Sequence, residues 1–123
     1  MKDSITFEVD LWLRGENHAT TQVIAPVARE PQAWSDADVA AVLEAMLRAL
    51  ERASRPGGVP DRPVALRGFS WIVTPYATGG VVIALELTLG AAVAGPFDVS
   101  EAQLSATIAR VLETQRTVSP TVH

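Results

Sequence analysis

With 123 residues, a formal net charge of −4 and 48% apolar residues, the chain suits one domain with one hydrophobic core. That composition excludes a disordered chain, and the lack of cysteine excludes a disulfide scaffold, a thiol enzyme and a cysteine-based zinc ribbon. Residues 1–61 carry ten acids and six bases, whereas residues 62–123 carry four of each. No basic stripe stands out, so nucleic acid is not an expected partner.

The opening residues Met1-Lys2-Asp3-Ser4-Ile5 contain no apolar run of signal-peptide length, which makes cytoplasm the expected location. Residues 81–94 are the most apolar stretch. They include Glu86 and Gly90 and fall short of the ~20 apolar residues a membrane span needs. A buried strand is the expectation there, with no membrane partner.

Residues 5–13 alternate, with Ile5, Phe7, Val9, Leu11 and Leu13 on one face and Thr6, Glu8, Asp10 and Trp12 on the other. That period of two predicts a half-buried strand. Gly15, Glu16, Asn17 and His18 supply a turn, and Thr21, Val23, Ala25 and Val27 alternate again. A short loop at 16–18 would pair Leu11 with Val23 and Phe7 with Val27, apolar against apolar. Pro26 marks this second strand as an edge or as ending there.

A helix is predicted next. Ser35 is its N-cap, Asp36 and Asp38 suit the positive end of the helix dipole, and Trp34 can staple onto Val39. Val39, Val42, Leu43, Met46, Leu47 and Leu50 recur at helical spacing, with Glu44/Arg48 and Glu51/Arg55 as solvent-side pairs. Pro56-Gly57-Gly58 ends the helix, and residues 59–63 form a stiff connection.

The second half is expected to follow the same plan: a strand over 64–76, a turn over 77–80 and a strand over 81–89. Closing the turn symmetrically at Thr78-Gly79 places Ile72 opposite Leu85 on the core side. Trp71 then faces Glu86 on the other side. Residues 90–96 are read as a Gly/Ala-rich connection. Their glycine spacing resembles a phosphate loop, but Pro96-Phe97 follows instead of Lys-Ser or Lys-Thr. A second helix starts at Ser100, which forms a capping box with Gln103, and runs to about Gln115. Residues 116–123 are expected to be a loose tail on a single domain of 1–115.

The expected architecture is α+β: two ββα units in ββαββα order, forming a four-stranded antiparallel sheet with two helices on one face. The capping segments around Ser35 and Ser100 align without a gap, so an internal duplication is an open reading.

Catalytic signals are few. His18 and His123 have no second ligand at metal spacing, so neither a metal nor a cofactor is expected, and no serine sits in a G-x-S-x-G elbow. Glu86 is the only charge between Gly68 and Phe97. It is the weak catalytic candidate, against the simpler reading that it points off the core face.

The stronger signal is a surface. On the predicted pairing, the face away from the helices carries Trp12, Phe69, Trp71 and Val73 among Glu8, Asp10, Arg14, Gln22, Arg67, Glu86 and Thr88. Trp and Arg on a mixed background typify interface hot spots. The expected function is therefore a non-enzymatic interaction or accessory module that self-associates as a homodimer. Trp12, Phe69 and Trp71 would be the anchors, with Arg14 and Arg67 on the rim. The alternative is a pocket on that face for a small apolar ligand, with Glu86 as polar handle or general base of a cofactor-independent enzyme. A further alternative is a heteromeric partner, such as an immunity or secretion-associated protein.

Overall fold

A computed structural model describes residues 5–16, 18–54, 66, 68–88 and 90–118. The elements run β1 (Ile5–Leu13), β2 (Thr20–Val27), a 3-10 turn (Pro31–Ala33), α1 (Asp36–Ser54), β3 (Ser70–Pro75), β4 (Val81–Leu87), β5 (Gly90–Phe97) and α2 (Glu101–Val118). The fold is α+β. A five-stranded antiparallel sheet of order β2-β1-β5-β4-β3 carries both helices on one face.

Two expectations are corrected here. The sheet has five strands rather than four, and the second half is βββα, so the order is not a repeated ββα unit. The additional strand, β5, comes from the segment read as a Gly/Ala connection, and it lies at the centre of the sheet, between β1 and β4. Its small side chains follow from that position. Ala92 and Ala94 are fully buried beneath the helices, where a larger side chain would hold the layers apart. Gly90 sits opposite both Leu13 and Leu87, and a Cβ there would collide with the Trp12 carbonyl oxygen. Residues that look weak for a strand are the ones a crowded central strand admits.

The inner face of the sheet and the apolar stripes of the helices form one core. Val9 and Leu11 of β1, Ile83 and Leu85 of β4, Val42, Leu43, Met46 and Leu50 of α1, and Leu104 and Ile108 of α2 are all essentially inaccessible to water. Burying a Leu or Ile side chain stabilises a fold by roughly 1.5–3 kcal/mol, so this layer is the main source of stability. At one end an aromatic cluster closes it. Phe7 and Phe97 meet edge-on at 4.8 Å, Trp34 and Phe97 at 5.1 Å, and the Trp34 indole N–H donates to the Arg29 carbonyl at 2.9 Å.

Both predicted helix starts are present. At α1 the Asp38 N–H donates to Ser35 Oγ at 3.2 Å and the Ser35 N–H donates to Asp38 Oδ2 at 3.0 Å, a reciprocal capping box. At α2 the Gln103 N–H donates to Ser100 Oγ at 3.0 Å. The Gln103 side chain does not return to the cap; it donates to the Gln32 carbonyl at 3.2 Å and so ties α2 to the 3-10 turn. Arg110 of α2 grips the Asp36 carboxylate with Nε at 3.0 Å and Nη2 at 2.8 Å, joining the two helices. The second helix reaches Val118 rather than Gln115, so part of the expected tail is helical. The proposed Glu51/Arg55 pair, the helix stop at 56–58 and the connection at 59–63 lie outside the described residues.

Both hairpin registers differ from the expected ones. In β3/β4, Trp71 rather than Ile72 lies opposite Leu85, and Val73 opposite Ile83. The loop has three residues, 77–79, instead of two. The Tyr76 N–H donates to the Gly80 carbonyl at 2.9 Å, the Gly79 N–H donates to the Tyr76 carbonyl at 3.0 Å, and Gly80 takes a left-handed φ of +77°. In β1/β2 the offset is three: Leu11 lies opposite Thr20 rather than Val23. Strand side chains alternate with period two, so an odd offset turns the paired stretch over, although the register shift between Ile5 and Phe7 leaves Val27 in the core as expected. The observed β3 is also shorter than the predicted 64–76, and residues 64, 65 and 67 lie outside the described residues.

Candidate functional site

The strand inversions rebuild the sheet face that points away from the helices. Trp12 stays on it, as β1 alternation requires, and is 41% exposed. Trp71 and Phe69 do not. Both pack, partly buried, against the core on the helix side, and Val73 is buried there too. The expected aromatic face is thus divided, because β3 pairs one residue out of the predicted register. Gln22 likewise turns to the helix side, its amide 3.5 Å from the Ala49 carbonyl. Arg67 lies outside the described residues.

Three apolar residues outside the expected set take their place. Val23 is 65% exposed, Ile72 58% and Tyr76 47%. Val23 lies opposite Glu8, while Ile72 lies opposite Ala84, which in turn lies opposite Val93. Tyr76, one residue past β3, continues the alternation of Ile72 and Thr74. With Trp12, these are the exposed large hydrophobic side chains among the described residues, and all four belong to this one face. Val93, Ala84 and the nearly buried Val82 fill the middle.

Charge interrupts the face, since Glu8 and Asp10 on β1 stand between Val23 of β2 and Val93 of β5. Glu8, Asp10, Glu86 and Arg14 come from the same face. Asp10 accepts from Thr21 Oγ1 at 2.8 Å across the β1/β2 ladder, and Arg14 Nε donates to the Thr88 carbonyl at 2.9 Å. Glu86 is exposed, between Ser70 and Ala91 on the neighbouring strands. A shallow cleft of about 440 Å³ joins Arg14, Phe69, Ser70 and Glu86 at the end of the sheet, so three of the sequence-derived candidates do come together.

His18 lies in the exposed β1–β2 loop, 3.9 Å from Glu16, and His123 lies outside the described residues. Among the described residues no group of three His, Asp or Glu side chains is placed to hold a metal ion, and no helix is long and apolar enough to cross a membrane.

One signal in the sequence bore on Ile72 and Tyr76. Gly79 and Gly80 both adopt positive φ, which permits the three-residue loop, and that loop length turns Ile72 outward. Val23 had no comparable local marker. Comparison with protein-family models, with curated proteins and with solved structures finds no match to this chain.

Proposed function

We propose that this protein is an interaction module that self-associates through the outer face of its sheet. The supporting observation is the gathering of Trp12, Val23, Ile72 and Tyr76, each more than two-fifths exposed, on the one face that no helix covers. Several large apolar side chains exposed on one face of a folded domain mark a contact site. Two such faces pack back to back about 10 Å apart, as in a sandwich, with each sheet supplying the same patch across a two-fold axis. Trp12 and Ile72 are the anchors, while Arg14 and Glu86 lie towards the rim, where charge costs little to keep hydrated.

Sedimentation velocity tests this reading. Ile72→Glu places a charge within the patch, on the terminal strand β3, and halves the mass of the assembly while leaving the circular dichroism spectrum unchanged. Trp12→Glu does the same. An assembly unaffected by either substitution rules the face out.

The cleft lined by Arg14, Phe69 and Glu86 supports a second reading, a site for a small aromatic or apolar molecule with a polar group that Glu86 or Arg14 would hold. A ligand screen by thermal shift, repeated on Glu86→Gln, separates it from the first. Ligands lost with Glu86 favour the cleft, and an empty screen removes it.

A further inference from the structure

The outer face does not account for the flank of the sheet where β2 is one of the two terminal strands. Between that strand and α1 runs a groove of about 400 Å³, with Ile24 and Ala25 on the strand side, Ala41 and Ala45 on the helix side, and Glu44 and Arg48 beside them. We propose that this flank is a second self-association surface, occupied by the same flank of another copy of the chain. It is independent of the outer-face reading.

The choice of occupant rests on geometry and charge. The end of β2 and the start of α1 are joined by a short connection, and the Gln22 amide lies beside the Ala49 carbonyl near the helix C-terminal half. The helix therefore runs antiparallel to the strand, and the level of Val23 on β2 falls near residues 46–48 of α1. A two-fold axis beside Val23 pairs β2 antiparallel with its copy and extends the sheet across the axis. The same axis sets α1 antiparallel to its copy, centred near residue 46. Glu44 of each helix then faces Arg48 of the other, so the charge pattern is complementary to itself. Ala41 and Ala45 leave room for the two helices to approach. Pro26, which cannot donate to a ladder, limits the new pairing to the part of β2 before it.

If the two-fold axis of this flank crosses that of the outer face at right angles, the two surfaces together close a tetramer of four 13.1 kDa subunits. The test is sedimentation velocity over a concentration series in the Ile72→Glu background, which removes the outer face from consideration. A dimer is expected there. Within that background, Glu44→Arg or Arg48→Glu alone sets like charges opposite one another twice per dimer and raises the dissociation constant about tenfold or more. Combining Glu44→Arg with Arg48→Glu restores it to within about threefold. These positions flank the groove rather than lie in the core, and circular dichroism checks that each variant stays folded.

A monomer throughout the Ile72→Glu series overturns the proposal, as do single reversals without effect or a double reversal that fails to restore binding. The two readings fail separately. If Ile72→Glu leaves the wild-type mass unchanged while the charge reversals still act, the outer face is wrong and the flank stands.

Discussion

The register of the β3/β4 hairpin decides which side chains line the outer face, and two alanine substitutions test it. Val73 is 4% exposed and faces the helices, whereas Ile72 is 58% exposed and faces away. Val73→Ala removes two carbons from the core at about 0.8 kcal/mol each, and the cavity left behind brings the total to about 2 kcal/mol. Ile72→Ala removes three carbons, but more than half of that residue already meets water and solvent fills the space. Its cost is about 1 kcal/mol or less. Both substitutions lose a β-branched residue from the same strand, so the propensity terms largely cancel. Urea unfolding measures the difference, at concentrations where each variant sediments as a monomer so that association does not add to stability. Val73→Ala should show the lower midpoint at an unchanged slope. An Ile72→Ala cost equal to or above that of Val73→Ala would refute the register and return Ile72 to the core, opposite Leu85.

Three further outcomes follow from the packing and the caps. Gly90→Ala forces a Cβ onto the Trp12 carbonyl at the centre of the sheet and should cost about 3 kcal/mol, read as a fall of about 10 °C in Tm. Ser100→Ala leaves the Gln103 N–H without its cap and should lower stability by about 1 kcal/mol, measured as a shift in urea midpoint. The third concerns pH. Hydrogen bonding to Arg110 holds the Asp36 carboxyl below its ordinary value of 3.8, so the pair adds stability above that value and loses it as pH falls through the lower, folded-state pKa. Unfolding from pH 7 down to pH 2 should therefore show wild type and Arg110→Met differing at neutral pH and converging at the acid end. Added salt should narrow the neutral-pH gap, since both side chains are largely exposed.

What was legible in the sequence follows the range of the interactions involved. Ser35 and Ser100 were identifiable as caps because a cap acts on N–H groups within three residues of itself. The alternation of β1 was equally plain, and it correctly assigned Leu11 inward and Trp12 outward. The candidate site was only half legible. Trp12, Arg14 and Glu86 are on the outer face, but Phe69 and Trp71 are not, because β3 carries apolar residues on both of its faces and alternation alone cannot orient it. The central strand was missed for a related reason. Gly90, Ala92 and Ala94 have little intrinsic preference for a strand, and their suitability appears only when β1 and β4 lie on either side and the helices press from above.

By itself, then, the sequence determined the α+β class, two capped amphipathic helices at their observed starts and the inward face of β1, all set by contacts a few residues apart. Tertiary structure decided the rest: five strands instead of four, their order, and the faces of β2 and β3. Strand pairing joins residues distant along the chain, and a loop one residue longer or shorter exchanges the two faces of a strand without changing its composition.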